Sequence, residues 1–568
     1  MNIKELKNIK NDTLVENLTG WVDTIRDHGG LTFIDLRDYE SFIQLIIDKK
    51  LIDELKIKNE FYISVTGIFK NRDENLINKK QEFGTYEIHV KEINIINKSK
   101  NLPFQIEDGI ETDESIRLKY RYLDLRRNEM KQNILARSKV FKSIRNVMNN
   151  LNILEIDTPT LIKSTPEGAK DFLVPSRKNP GTFYALPQSP QMYKQLFMMS
   201  GFPNYYQIAK CYRDEDSRKD RQPEFTQLDL EFSNSNPKIV KEKLEIIVQH
   251  IFAEAFDLKI NIPFKSLSFT EAINLYGTDK PDLRITETIN DATDIFINTS
   301  ITFVKDSINN SGVFKYLFTK NILSRKEIDE LEIQSKELGS NGLGWIKSEN
   351  NELTGPLVKF LNEQESSFIK SFGKGTFLFQ VGNLNDISKT MDFLRTTLFS
   401  KTEQNEHIFL WIEDFPYFEI DNGILQPSHH PFTSPNNIHE FENNPLEALA
   451  LHYDLVLNGV ELGSGSQRIN NPDLQTLVLK KWGLSEDEIQ NRFGWFIEAL
   501  SYGTPEHAGF AIGIDRLVAE VMRQPSIRDV IPFPKTQSGM DPLTDAPTKL
   551  DKELLEEYNI KVIEDNEQ

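Results

Sequence analysis

The stretch Ile208–Phe232, IAKCYRDEDSRKDRQPEFTQLDLEF, decides the reading of this 568-residue chain. It reads as two strands joined by a long charged loop. On the first arm Arg213 and Glu215 stand two apart, so an extended backbone turns both to one face. On the second arm Gln227, Asp229 and Glu231 alternate with Leu228, Leu230 and Phe232, giving one polar and one apolar face. The loop from Asp216 to Glu224 carries three arginines or lysines and three carboxylates, and Pro223 closes it. Arginine grips a phosphate or carboxylate through two parallel hydrogen bonds. On these residues alone, a salt-bridged hairpin and an anion-binding site both stand. By the same strand reading, Cys211 is expected to pack in the core, turned away from Arg213.

The bulk of the chain bounds the answer. Its length is too great for one core, and three or four domains are expected. The composition is that of a globular protein, charged but not depleted of apolar residues. A single cysteine excludes a disulfide framework and a cysteine-based zinc site, which fits a reducing compartment. No signal peptide and no apolar run of bilayer length is read, so a cytoplasmic protein without a membrane partner is expected. The net charge of −19 argues against a nucleic-acid partner only weakly, because a local basic patch can carry the phosphate contacts.

YRDED, the basic loop and RQPEFTQLD together resemble the second signature motif of class II aminoacyl-tRNA synthetases, in the form carried by the bacterial-type aspartyl-tRNA synthetase family. Further matches follow in the same order along most of the chain. The resemblance implies an α+β multidomain protein: a five-stranded oligonucleotide-binding (OB) barrel over 1–100, a connector over 101–133, and an antiparallel catalytic sheet over 134–284 and 406–534. An α+β domain is inserted at 285–405, and 535–568 form a C-terminal extension.

The residues agree with the first part of that division. Strand-like runs at Gly20–Ile25, Leu31–Leu36, Phe42–Ile47, Phe61–Phe69 and Glu87–Ile95 suit a small closed barrel. TGWVDTIRDHGGLTFIDLRD resembles the family's anticodon-binding barrel, where Phe33 would stack on an anticodon base and Gln44 would bond a base edge. His28, read as lying in the loop before the Phe33 strand, would meet the third anticodon base. In the family, histidine in that loop is associated with enzymes that charge both tRNA(Asp) and tRNA(Asn). The basic run RLKYRYLDLRR after Leu102-Pro103 reads either as a solvated helix face or as a tRNA-backbone contact.

Val140, Ile144, Val147 and Leu151 recur at helical spacing, and ILEIDTPTLI reads as a strand bearing a proline, which belongs at an edge or interface. Together they resemble the first class II motif, which implies a homodimer built around Pro159, although the family usually has glycine where Asn152 stands. STPEGAKDF resembles the loop that closes over substrate with Glu167. LPQSPQMYKQLFM resembles the aspartate pocket, with Ser189, Gln191 and Lys194. The same pocket would be completed by Arg213, Asp229, His429, His430 and Arg468.

YDLVLNGVELGSGSQRI contains the two-residue hairpin turn Asn458-Gly459. That turn sets Val456 opposite Glu461, so Asp454 and Glu461 become diagonal neighbours on one face. Two carboxylates so placed repel unless a cation lies between them, and Mg2+ is the expected one. Gly463 and Gly465 are expected to leave room for a ligand against the backbone. HAGFAIGIDRLV resembles the third class II motif, which implies ATP contacts from Gly513, Ile514, Asp515 and Arg516. Arg213, Asp214, Glu215, Gln222, Phe225 and Glu461 would complete the ATP site. Arg213, Glu215 and Arg516 would carry catalysis, by positioning and charge neutralisation without a covalent intermediate.

Two rivals share these features. An asparaginyl enzyme uses the same scaffold, but an amide would leave Lys194 and Arg468 without a carboxylate, at a cost of several kcal/mol. A non-catalytic tRNA-binding paralogue would lack a motif arginine or an acidic ligand, and all are present.

Overall fold

Alternating apolar and polar residues close the first unit, Met1–Thr112, into a barrel. Its strands are β1 (Thr13–His28), β2 (Leu31–Arg37), β3 (Phe42–Asp48), β4 (Tyr62–Asn71) and β5 (Tyr86–Asn97), in the order β1-β2-β3-β5-β4. All pairs are antiparallel except β3 with β5. Val22, Ile34, Leu36, Ile43, Leu45, Ile63 and Val65 fill the interior, and their removal from water drives closure. The computed structural model describes residues 2–39, 41–79, 82–165, 168–402, 407–421 and 424–563.

The strands run longer than the sequence predicts, and His28 is the last residue of β1 rather than a loop residue. It pairs with Leu31 across Gly29-Gly30, whose φ values of 56° and 115° favour glycine.

The second unit, Asp113–Gln568, is organised on a seven-stranded sheet. In spatial order its strands are Lys265–Ser268, Phe409–Pro416, Leu449–Leu457, Val460–Gln467, His507–Gly513, Glu224–Ser233 and Asn204–Tyr212. Only the first pair is parallel. The helices Asn128–Asn150, Pro237–Phe256 and Ile514–Val521 pack on one face over Leu228, Leu230, Phe232, Leu455 and Phe510. The predicted apolar side of the second arm is therefore the core side, and its polar side faces away from these helices.

Three expectations change here. ILEIDTPTLI forms no regular strand: it is extended, with isolated bridges at Glu155–Tyr206 and Ile162–Ala185 only. Pro159 is exposed, as are Leu154 and Leu161. Asn152 takes φ 53°, the left-handed turn in which asparagine is the usual substitute for glycine. The basic run is neither a solvated face nor wholly available to RNA. Arg121 and Arg127 are buried against Asp124 at 2.6 and 2.8 Å, and Arg121 also caps the carbonyls of Arg528, Ile531 and Pro532. Cys211 shares the face of Arg213 rather than opposing it, since the two are an even step apart. Its buried thiol donates to Gln227 Oε1 at 3.3 Å.

Within 285–405 a five-stranded sheet carries an aromatic cluster of Phe296, Phe314, Phe377 and Phe379 in one core. Leu317, Leu378, Met391 and Leu394 form another. Adjacent residues of one strand, such as Phe377 and Leu378, enter different cores, so both faces of this sheet are covered.

Candidate active site

The polar face of Glu224–Ser233 can accommodate buried charged side chains because its neighbours on one side are small. Gln227, Asp229 and Glu231 pair with Gly513, Ala511 and Gly509 across one side. A Cβ added at Gly509 would overlap the Glu231 carboxylate, so glycine there admits a buried acid. Gly463 lines the cleft, and both Gly463 and Gly465 also serve the sheet. A Cβ at either would meet the backbone carbonyl of Ala511 or Gly509, so these glycines allow close approach of the neighbouring strand.

Lys194, on the helix Gln191–Met199, enters this pocket and is 1% exposed. Its ammonium donates to Asp229 Oδ1 at 2.9 Å and lies 3.3 Å from Glu231 Oε2. Arg468 grips Glu231 through Nε and Nη2 at 3.0 and 3.2 Å, and Nη1 reaches His430 Nε2 at 3.0 Å. Burial alone would raise the Glu231 carboxyl, but Arg468 and Lys194 outweigh it and hold it below its usual value. Each cation therefore already has a carboxylate, and the expectation that an amide substrate would leave both uncompensated is corrected. Glu231 is absent from the predicted site residues although its alternation with Asp229 was visible.

Several buried atoms in and near this pocket have no partner among the described residues: Asp229 Oδ2, Gln191 Nε2, Gln195 Nε2 and His429 Nε2. One is an acceptor lacking a donor, and two amides are donors lacking acceptors. Such atoms are costly unless a ligand or a bound water completes them. Ser189 Oγ accepts from Gln191 N at 3.3 Å at the start of the helix. Glu167 lies outside the described residues, while Gln188 holds the adjoining Ala169 through both amide atoms.

The histidines connect this pocket to a second site. His429 stacks on His452 with centroids 3.9 Å apart, and His452 Nε2 meets Asp454 Oδ1 at 2.8 Å. Burial lowers all three imidazoles, with Arg468 adding to the effect on His430 and His452 adding to that on His429; His452 falls to about 3. At neutral pH they are uncharged hydrogen-bonding groups.

Asp454 and Glu461 are indeed neighbours on one face, with Val456 opposite Glu461. A bulge at Leu462, not expected from the sequence, then sets Leu455 opposite Gly463. Burial and Glu461 push the Asp454 carboxyl well above its ordinary value. Burial would raise Glu461 too, but Lys280 at 2.8 Å overrides it and holds it low. Among the described residues no cluster of three or more His, Cys, Asp or Glu could hold a metal. Two carboxylates suit Mg2+, which keeps waters and takes further oxygens from a phosphate substrate.

A cleft of about 430 Å³ adjoins this pair. Arg213, Glu215, Gln222, Phe225, Glu461, Gly513, Asp515 and Arg516 line it, as expected. Arg213 lies over the Phe225 ring at 5.1 Å, and among the described residues no carboxylate pairs with its guanidinium. Arg516 donates to the Glu461 carbonyl at 3.1 Å and lies 3.5 Å from Asp220.

Several of the expected ATP contacts also have structural duties. Asp214 is exposed and joins Lys170 through its backbone; Ile514 is core. Asp515 binds Arg137 and accepts from Thr226 N at 2.8 Å. Gln222 Oε1 accepts from Lys535 N at 2.8 Å, so its amide oxygen is engaged by the chain's last part.

In the first unit, Phe33 and Gln44 share the outer face of the barrel, since Phe33 pairs with Ile46 and Asp35 with Gln44. His28 meets the Phe33 ring edge-on at 5.7 Å. Arg26, Asp35, Glu87 and His89 stand around them, with Arg26 2.8 Å from Asp35 and His89 2.8 Å from Glu87. These four were not singled out from the sequence; the pairing that sets Glu87 opposite Gln44 and His89 opposite Ile46 joins strands far apart in the chain.

A closed five-stranded barrel and an antiparallel sheet bearing paired buried cations and an arginine-lined cleft are the frame of a class II aminoacyl-tRNA synthetase. A model for OB-fold nucleic acid binding domains matches residues 17–96. A model described as tRNA synthetases class II (D, K and N) matches residues 113–537, and the chain belongs to that family. It is 43% identical to the aspartate–tRNA(Asp/Asn) ligase of Hydrogenobaculum sp. (strain Y04AAS1), over 96% of each chain. It is 44% identical to the aspartate–tRNA ligase of Mycoplasma mycoides subsp. mycoides SC, again over 96% of each. The asparaginyl-tRNA synthetase of Pyrococcus horikoshii, solved with asparaginyl-adenylate, shares the fold at a TM-score of 0.60 and 18% identity, over 94% of this chain and 98% of that one.

Proposed function

We propose that this chain activates L-aspartate with ATP and transfers it to the 3′ end of tRNA(Asp) and of tRNA(Asn). The observation that carries the amino-acid choice is the buried quartet Lys194, Asp229, Glu231 and Arg468 with its unpartnered atoms. The quartet is neutral by itself. Aspartate adds an ammonium for Asp229 Oδ2 and a side-chain carboxylate for Lys194, Arg468 and the Gln191 amide, so the loaded pocket stays balanced. Asparagine would bring the ammonium without the second carboxylate and leave a buried excess positive charge, which is expensive.

The α-carboxylate then points to Arg213, which bridges it to the α-phosphate while Phe225 offers a ring to the base. The carboxylate oxygen bonds to the α-phosphorus as the bond to the β-phosphate breaks, and pyrophosphate departs with the electron pair. Arg516 faces the outer phosphates. Asp454 and Glu461 would hold Mg2+, which supplies charge neutralisation at the phosphates when bound. The tRNA ribose hydroxyl next attacks the aspartyl carbonyl, and AMP leaves. Positioning and preset charge are the means of catalysis. Neutral His429, whose Nε2 has no partner among the described residues, can bond substrate without adding charge, while His430 holds Arg468.

The exposed run Leu154–Leu161 is proposed to be covered by a second copy of the chain, which sedimentation at twice the chain mass would test. For the tRNA, His28 beside Phe33 can donate or accept according to tautomer and so serve either pyrimidine that distinguishes the two anticodons. Aspartylation of purified tRNA(Asp) and tRNA(Asn) side by side tests this. Efficiencies within about a hundredfold, roughly 2.7 kcal/mol, are expected, and a larger preference would make the enzyme discriminating.

A further inference from the structure

The segment Thr278–Arg284, TDKPDLR, leads from the catalytic sheet into the inserted domain. Lys280 lines the same cleft as Arg213 and Arg516, with its side chain 40% exposed. Its ammonium sits 2.8 Å from Glu461 Oε2.

Its backbone is fixed. Asp282 and Arg284 form a two-bond pair at 2.8 and 2.7 Å, Lys401 joins Asp282 at 3.1 Å, and Arg284 reaches the Asn458 carbonyl at 3.4 Å. Arg395 and Thr402, on the returning chain, bond Ile285 O and Arg284 O. Both chains at the root of the inserted domain are thus tied to the Asn458-Gly459 turn that presents Glu461. Four methylenes between this fixed backbone and the ammonium give Lys280 reach without freedom of origin.

We propose that Lys280 is a phosphate ligand of this cleft, held on Glu461 until a nucleoside triphosphate and its divalent cation arrive. The proposal rests on the reading of the cleft as the ATP site. A divalent cation held by Glu461 would compete with Lys280 for the negative charge of this carboxylate. An ammonium released from it would find the outer phosphates as the anions within reach. As the α–β phosphate bond breaks, the departing pyrophosphate gains negative charge, which Lys280 neutralises together with Arg516. The lysine also keeps the acidic pair from lying uncompensated when no nucleotide is bound.

The test uses full-length enzyme and the variants Lys280→Met and Lys280→Arg, with calorimetric titration of magnesium pyrophosphate and magnesium ATP. Mn2+ alone, followed by electron paramagnetic resonance, is the second readout. Lys280→Met is expected to weaken pyrophosphate and ATP at least tenfold, leave KM for aspartate within twofold, and bind Mn2+ more tightly. Lys280→Arg is expected to recover most of the phosphate affinity. Phosphate affinities within twofold of wild type in Lys280→Met would overturn the proposal. So would a parallel loss of phosphate and Mn2+ binding, which would mean that Lys280 only orders Glu461. If wild-type enzyme shows no aspartate-dependent pyrophosphate exchange, the functional reading fails, while the two titrations still judge the lysine.

Discussion

The amino-acid pocket and the phosphate cleft both hold cations against carboxylates, yet in opposite manners. Lys194 and Arg468 are 1% exposed at their side chains and bonded to Asp229 and Glu231 at 2.9 to 3.2 Å. In the cleft, Arg516 is 26% exposed and lies 3.5 Å or more from its carboxylate partners, Lys280 is 40% exposed, and Arg213 has none among the described residues. A buried, fully paired quartet is a rigid template, because moving any member strands another in low dielectric. Cations that solvent reaches can exchange partners at little cost even where the pair is short, as for Lys280 and Glu461 at 2.8 Å. On the proposed function, choice of amino acid belongs to the first arrangement, and phosphate chemistry, which changes charge during the reaction, belongs to the second.

The largest effect is expected where a cation has no substitute. Arg213→Ala should lower aspartate-dependent pyrophosphate exchange by at least a thousandfold, about 4 kcal/mol, with thermal stability near wild type because no carboxylate is stranded. Near-normal exchange would remove Arg213 from the reaction.

In the template the cost should be selective. Lys194→Leu is expected to raise KM for aspartate by about a hundredfold, roughly 2.7 kcal/mol, with KM for ATP within threefold. Stability should fall as well, since Asp229 and Glu231 lose a partner. Equal rises in both constants, in protein shown by circular dichroism to be folded, would give Lys194 a structural role only.

The smallest effect sharpens the contrast from the side of stability. The folded-state pKa of Asp454 is raised, so folding favours its protonated form. That stability is complete below the ordinary carboxylate range near pH 4 and is lost as pH rises through the folded value. Asp454→Asn, which keeps an acceptor for His452, should therefore melt roughly a few degrees higher than wild type at pH 7.5 and no higher at pH 4. A melting difference independent of pH would contradict burial and the Glu461 charge as the causes of the raised Asp454 value.

Local pattern carried the sequence reading a long way. The five barrel strands, the two arms around Arg213, the Asn458-Gly459 turn and the facing of Asp454 with Glu461 follow from periodicity of two and turn chemistry. The resemblance supplied Arg213, Glu215, Gln222, Phe225, Glu461, Gly513, Asp515 and Arg516 of the residues that line the cleft. What escaped depends on contacts far apart in the chain. Asp515 looks like a ligand beside Arg516, but Arg137, 378 positions away, claims its carboxylate. Lys280 is one lysine among many until the fold brings it to Glu461, 181 positions on. Glu231 was legible by alternation, but only Lys194 and Arg468 explain why it is buried as an ion. The bulge at Leu462 has no signal in the string VELGSG, because register is set by the partner strand.

The central claim is that the buried quartet selects aspartate by charge balance. Amino-acid-dependent ATP–pyrophosphate exchange by the wild-type enzyme, with aspartate and asparagine supplied separately at equal concentration, tests it most directly. The account predicts exchange with aspartate and at least a hundredfold less with asparagine, roughly 2.7 kcal/mol. Comparable exchange with both, or preference for asparagine, would contradict it.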